Sequence, residues 1–301
     1  MNYVCRINLN VDCKDRKQLI DFCLNSEKQF IAIGWTKPFE INPSIKTYQE
    51  YYEILKTAYK GKRRNPAHNI FLNARTNDLF WTRDLDGMYW ICRAKGLAQS
   101  MYIEDIGVGA VIPVEAYKYD IEVPGQIKAS FNRQRGGTCE YIKDKIIQEF
   151  SKKAYNDMSG ECFYELEKID GCLLDNLPDF DLEELVISYI QLHENYYLVS
   201  NSIANKSTTI KIECEFISRN KNLFKKAVVQ VKGGKSKTVD AGEYTEFDKK
   251  GYTIYLYAPY ISNKSSLKNM IEITRNDLLS FYEDYKSILP KSITKWEDLF
   301  N

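Results

Sequence analysis

The sequence predicts two domains of different texture: an α+β domain on a small β-barrel-like sheet over residues 1–150, then an α/β domain over residues 165–301. Three observations carry this. The chain has 301 residues, about two domains at roughly 100–200 residues each. The first half breaks into short alternating or apolar runs punctuated by glycine, as strands joined by tight turns do. The second half alternates helical and strand-like periods, the mark of an α/β sheet. With 44% hydrophobic and 28% charged residues, the composition supports a packed core in both.

In the first half, residues 3–9 alternate apolar and polar and predict a strand. Residues 16–24 carry Leu19, Ile20 and Cys23 at helical spacing. Residues 30–35 form a short apolar run through Gly34 and predict a buried strand. Residues 44–59 predict a helix with Ser44 as N-cap and Gly61 as its stop. Residues 78–83 and 88–93, joined across Gly87, predict a hairpin. Residues 107–114 and 125–131 predict further strands, and 140–155 a helix. The junction between domains falls between 139 and 178.

In the second half, residues 180–192 predict a helix capped by Asp179 or Asp181. Residues 196–199, 208–218, 227–232 and 252–258 predict strands, the third ending at Gly233-Gly234 and the last at Pro259. Residues 275–287 predict a helix with an apolar face at Leu278, Leu279, Phe281 and Tyr282.

Composition narrows the function classes. No uncharged apolar run approaches the roughly 18–20 residues of a membrane helix. The N-terminus has no apolar leader, so a cytoplasmic protein without membrane association is expected. The net charge of +1 excludes a polybasic mode of binding. Eight cysteines without a C-x-x-C pair, beside only two histidines, argue for reduced core thiols and against structural zinc. There is no phosphate-binding glycine loop and no dinucleotide fingerprint.

The chemistry concentrates in residues 212–234. On a strand, residues i and i+2 share a face, so Glu213 and Glu215 point one way and Gln230 and Lys232 share a face of their own. The intervening residues 219–225 have hairpin length. The hairpin thus gathers carboxylates, an amide carbonyl and an ammonium on one patch. That set suits Mg²⁺-dependent phosphodiester hydrolysis, since Mg²⁺ takes hard oxygen ligands and leaves places for water and phosphate. Glu183 or Glu184, on the preceding helix, would add a carboxylate. The plainer alternative is an amphipathic hairpin with Ile212, Cys214, Phe216, Val229 and Val231 inside and solvated Glu, Gln and Lys outside.

The run from Leu182 to Gly234 resembles the PD-(D/E)xK restriction-endonuclease-like superfamily, in its Mrr-like Q-x-K branch. The resemblance rests on a helix bearing Glu184, a strand bearing an acid, and then Val228-Val229-Gln230-Val231-Lys232-Gly233-Gly234. It implies a restriction-endonuclease-like fold for the second domain and catalysis by Glu213, Glu215, Gln230, Lys232 and Glu184. It implies metal ligation by Glu213, Gln230 and Glu184, with Glu215 as the rival of Glu213. The strand acid is Glu where the family usually has Asp, and no Pro-Asp precedes it.

In the first half, Trp35, Trp81, Arg83 and Trp90 are the notable residues, each open to a core or a base-stacking role. Segments 31–36 and 79–83 resemble the PUA-like base readers of the EVE and YTH kind, which implies a pocket for an extruded, modified base. The clusters Lys62, Arg63, Arg64 and Arg133, Arg135 are candidate phosphate contacts or plain solvated loops.

Together these readings predict a Mg²⁺-dependent DNA endonuclease, with Mn²⁺ as an alternative ion. It would be of restriction or anti-phage type, act on unmodified or base-modified DNA, and work as a homodimer. The alternatives are a catalytically inactive nucleic-acid-binding protein of the same fold and an RNA-directed reader or nuclease.

Overall fold

In a computed structural model, residues 2–11, 15–59, 65–133, 137–203, 212–234 and 236–300 are described. The chain is a mixed α+β protein of two compact units. One comprises Met1–Val123 with Ile127–Glu167; the other comprises Pro124–Gln126 with Lys168–Asn301.

The first unit is built on a curled, half-barrel sheet of seven strands. They are β1 (Val4–Ile7), β2 (Gln29–Ile33), β3 (Leu79–Arg83), β4 (Tyr89–Ala94), β5 (Gln99–Ile103), β6 (Val108–Lys118) and β7 (Cys139–Tyr141). Their order is β2-β6-β4-β3-β1-β7, with β5 also on β6. The strand β6 makes the curl. At 11 residues it carries β2 on one edge and, in succession, β5 and β4 on the other. The expected hairpin is β3–β4, paired antiparallel.

The core includes Ile7, Leu19, Cys23, Ile31, Tyr51, Phe71, Phe80 and Val111. The helix Tyr48–Ala58 presses Tyr48, Tyr51, Tyr52 and Leu55 into it. That helix starts later than expected. Its cap is Thr47, whose hydroxyl accepts from the Glu50 amide at 3.2 Å while Glu50 accepts from the Thr47 amide. This T-x-x-E capping box replaces the predicted Ser44 cap. The expected stop at Gly61 lies outside the described residues.

Other expectations need correction. Residues 125–131 are not a strand: Gly125–Asn132 is a helix that buries Ile127, Ser130 and Phe131 at helical spacing. Residues 16–24 form the α-helix Arg16–Ile20 followed by a π-helical turn, Asp21–Asn25. The helix expected from residue 140 is Lys145–Ser159, capped by Asp144, and the residues before it include β7. A domain end at 150 would cut through this helix. Its Ser151 hydroxyl accepts from the Trp81 indole at 2.8 Å and its Tyr155 hydroxyl accepts from Arg93 Nε at 2.7 Å, so it belongs to the first unit.

The second unit carries a five-stranded sheet with the order β14-β12-β10-β9-β8. Its strands are β8 (Tyr196–Val199), β9 (Cys214–Ser218), β10 (Lys226–Val231), β12 (Thr253–Tyr257) and β14 (Met270–Glu272). A separate pair joins β11 (Thr238–Asp240) to β13 (Tyr260–Ser262). The strands β8, β9 and β10 pair antiparallel, while β10, β12 and β14 run parallel. The expected strand over 208–218 is described only from its later residues; 208–211 lie outside the described set.

The helix Asp179–Leu192 buries Leu182, Leu185, Val186, Tyr189 and Ile190. Neither predicted aspartate caps it. Asp181 is buried and accepts from the Gly125 amide at 2.9 Å, while Asp179 is ion-paired with Lys237. The helix Arg275–Tyr285 turns Leu278, Phe281 and Tyr282 inward, as its pattern predicts, while Leu279, expected on the same face, is only half-buried. Among the described residues no helix is long and apolar enough to cross a membrane.

Candidate functional site

The register of β9 on β10 sets which side chains meet. Cys214 lies opposite Val229 and Glu215 opposite Val228. The Glu213 amide, just before β9, donates to the Val229 carbonyl at 2.8 Å, one residue out of that register. Paired antiparallel residues share a face, so Glu213, Glu215, Val228 and Gln230 lie together and Cys214, Phe216 and Val229 face the other way. The predicted segregation holds in part: Cys214, Phe216 and Val229 are buried together on one face, but Ile212 packs in the cluster of Val228, and Gln230 is buried rather than solvated.

The contact that results is between Glu213 and Gln230. Gln230 is 4% exposed. Its amide nitrogen donates to Glu213 Oε1 at 2.7 Å and to the Val231 carbonyl at 3.1 Å. The Tyr244 hydroxyl donates to Gln230 Oε1 at 3.4 Å. Glu215 sits two residues further along β9, opposite Val228, at the wrong end of the strand to share this contact. Of the rivals, Glu213 is the one brought to Gln230.

Four carboxylates surround Cys214, the first residue of β9. Burial pushes the Cys214 thiol up to about 12, and the charges of Glu213, Glu184, Glu183 and Glu215 push in the same direction. All four therefore lie within electrostatic reach of one thiol. Glu184 is exposed and Glu183 half-buried on their helix.

Among the described residues no group of three or more His, Cys, Asp or Glu side chains is placed to hold a metal ion, so oxygen donors here would come from Glu213 together with Gln230 and the Val231 carbonyl. The Gln230 amide nitrogen stands at the point where the Glu213 carboxylate and the Val231 carbonyl converge. Turning the amide over would present its own oxygen to the same point. Carboxylate, amide carbonyl and backbone carbonyl are the oxygen donors such ions take.

Lys232 follows directly on β10, its amide donating to the Tyr257 carbonyl at 2.8 Å. It lines a cavity of about 370 Å³ at the carboxyl ends of β10, β12 and β14. The carboxyl ends of parallel strands are where α/β sheets place ligands, because the chain leaves them in loops rather than in further ladder. Tyr257, Glu272, Thr274, Arg275 and Asp175 share the lining. The motif does not indicate these five. The parallel order of β10, β12 and β14 gathers them, and the sequence has no local signal for it.

In the first unit, the predicted aromatic residues separate. Trp35 lines a cavity of about 530 Å³ with Asn10, Thr36, Lys37, Tyr59 and Thr138. Its backbone has φ 66°, a left-handed conformation that bulky residues avoid, at a cost of about 1–3 kcal/mol. The turn is held from beneath: the Tyr51 hydroxyl donates to the Gly34 carbonyl at 2.8 Å and lies 3.0 Å from the Trp35 carbonyl. Gly109 makes room for it, since a Cβ there would stand 2.7 Å from the Gly34 carbonyl. His68 meets the indole edge-on at 4.3 Å between ring centres. Burial holds His68 down to about 4, so it is a neutral ring at neutral pH.

The other aromatic predictions are corrected. Trp81 is fully buried with its indole nitrogen bonded to Ser151, so it offers no ring face to a base. Trp90 is buried and donates to Asp84 Oδ2 at 2.9 Å. Arg83 donates to Asn132 and lies over the Tyr89 and Phe131 rings, and Arg133 is ion-paired with Glu140 at 3.7 Å. These two arginines are engaged within the unit, and neither lines the Trp35 cavity. Lys62, Arg63, Arg64 and Arg135 lie outside the described residues.

No family model matches the chain, and neither a curated protein nor a solved structure matches it. The chemistry of the two cavities therefore carries the functional reading.

Proposed function

We propose that the chain is a Mg²⁺-dependent endonuclease of restriction or anti-phage type that hydrolyses DNA phosphodiester bonds. The observation that carries this is the convergence of Glu213 and Gln230 at 2.7 Å, two residues before Lys232, which lines the cavity at the carboxyl end of β10. The order of a helix with Glu184, a strand with Glu213 and a strand with Gln230-Val231-Lys232 supports the likeness to PD-(D/E)xK nucleases.

Glu213, Gln230 and the Val231 carbonyl would hold the ion, with Glu184 completing its surroundings directly or through water. When bound, Mg²⁺ supplies a water of lowered pKa and stabilises the leaving oxygen. Lys232 directs a water at phosphorus and offsets the charge that gathers on the phosphate oxygens. The Trp35 cavity serves as the reader: it takes a base out of the stack and holds it against the fixed indole, which favours a modified target as the selected one. One such site cuts one strand, so double-strand cleavage takes two chains.

A second reading, a binding protein that does not cut, is favoured by one detail: it is the nitrogen of Gln230, not its oxygen, that faces Glu213.

Cleavage of unmodified duplex, base-modified duplex and RNA, with Mg²⁺ and with EDTA, separates the readings. Metal-dependent cutting of DNA is expected, lowered roughly 10²–10³-fold in Lys232→Ala with binding retained. Folded wild type that binds DNA but cuts no duplex under Mg²⁺ or Mn²⁺ would establish the binder instead.

A further inference from the structure

The cavity at the carboxyl ends of β10, β12 and β14 is lined by Lys232 and not by Glu213 or Gln230. Its charges are unevenly compensated. Asp175 is paired with Arg275, and Glu272 with Lys264. Lys232 has no carboxylate within ion-pair distance among the described residues. The lining therefore carries one uncompensated positive charge, which suits an anion.

Arg275 is poised rather than consumed. Asp175 Oδ2 accepts from its Nη2 at 2.9 Å, Asp175 Oδ1 from its Nη1, and the Cys172 sulfur also lies against Nη2. Those contacts fix the plane of the guanidinium and leave the rest of its five donors for a second acceptor. Its side chain remains 47% exposed. The amides at the start of its helix are not the holder, because Thr274 and Asp277 close a capping box there.

The other lining groups suit a nucleotide. The Tyr257 ring is half-buried and presents apolar surface, and Gly233-Gly234 brings bare backbone to the rim. A volume of about 370 Å³ admits one nucleotide but not a duplex.

We propose that this cavity is a phosphodiester subsite: it holds the nucleotide next to the cut, with Arg275 on that nucleotide's outer phosphate and Tyr257 against its sugar or base. The proposal rests on the nuclease reading, and it makes Arg275 a positioning residue that sets the reacting phosphate beside Lys232.

The test uses the full chain with a short labelled duplex, comparing wild type, Arg275→Ala, Arg275→Lys and Asp175→Asn. Affinity is measured in EDTA across a salt series, and KM and kcat/KM are measured with Mg²⁺. Arg275→Ala is expected to weaken binding roughly 10-fold and to reduce the salt slope by about one, as loss of a phosphate contact does. Arg275→Lys should restore the slope. Asp175→Asn breaks the same bridge from the other side and should bind as tightly as wild type or more tightly. If Asp175→Asn and Arg275→Ala weaken binding alike with an unchanged slope, Arg275 is only a tie between segments and the subsite is wrong. Cutting by wild type with an Arg275-independent slope also sinks the subsite while sparing the nuclease reading. An Arg275-dependent slope without any cutting keeps Arg275 as a phosphate contact but sinks the nuclease reading and, with it, the subsite's place next to a cut.

Discussion

The two cavities are built by opposite means. Around Trp35 the protein spends rigidity: a left-handed tryptophan, a glycine that lets two strands close up, a tyrosine hydroxyl tying the turn and a neutral histidine behind the indole. Around Lys232 it gathers charge: an ammonium, an arginine fork and carboxylates at the ends of parallel strands. A flat, stiff aromatic wall selects by shape and stacking. A set of movable ions acts on a charged group and exchanges partners when one arrives. The first arrangement suits recognition of a base, the second suits chemistry at phosphate.

The comparison breaks most visibly if the two variants with the largest expected effects behave alike. Lys232→Ala should lose turnover and keep affinity. Trp35→Ala should lose affinity for the selected target by roughly 10–100-fold, the worth of about 1–3 kcal/mol for one stacked base, with the loss falling on KM rather than on kcat. Equal losses of kcat in both would mean that the cavities do one job.

Gly109→Ala sharpens the claim that the Trp35 turn is clamped. Its Cβ would meet the Gly34 carbonyl at 2.7 Å and the Tyr51 hydroxyl at 2.9 Å. An unfolding free energy lower by about 1–3 kcal/mol is expected in denaturant titrations. Full stability would show that the turn yields without cost.

The last effect concerns His68 and is confined to acid, so it vanishes at neutral pH. Its folded pKa of about 4 lies below its ordinary value of 6.5. Between those values the unfolded chain binds a proton that the folded chain does not. Stability attributable to His68 is therefore unchanged above pH 6.5 and is lost as pH falls toward 4, by an amount on the order of 3 kcal/mol once both states are protonated. His68→Leu should flatten stability against pH in that window. A curve as steep as that of wild type would mean that the ring is protonated in place behind Trp35.

Elsewhere an ion pair behaves in the opposite sense. Burial alone would raise Glu115, yet hydrogen bonds from Tyr155, Arg93 and Tyr117 hold it down to about 2. This network lies within the first unit and marks structure rather than chemistry. A shifted carboxylate is thus no guide to the proposed site, which rests on the contact between Glu213 and Gln230.

Much of the second-unit site was legible before the fold. Strand side chains repeat every two residues, so the face shared by Glu213 and Glu215, and that shared by Gln230 and Lys232, follow from spacing alone. The short connection between β9 and β10 makes the strands neighbours. Residues 125–131 misled because a short apolar run beside glycine has no period of its own, and burial of Ile127, Ser130 and Phe131 settles it as helix. The Thr47 capping box is readable in the sequence as T-x-x-E from Thr47 to Glu50.

What the sequence determined by itself is local: the alternation that segregates faces, the hairpin at β3–β4, the periodic helices Asp179–Leu192 and Arg275–Tyr285, and the Q-x-K pair. What the tertiary structure alone decided is which side chains share space across long separations. It set Arg275 against Asp175 across 100 positions. It sent Trp81 into the core and Trp35 to a cavity wall, though both follow short apolar runs. It brought Glu213 rather than Glu215 to Gln230, because β9 starts at Cys214 and sets Glu215 opposite Val228. The physical reason is that periodicity fixes the direction of a side chain relative to its own strand, while burial, register and the ends of strands are properties of the neighbours that packing brings.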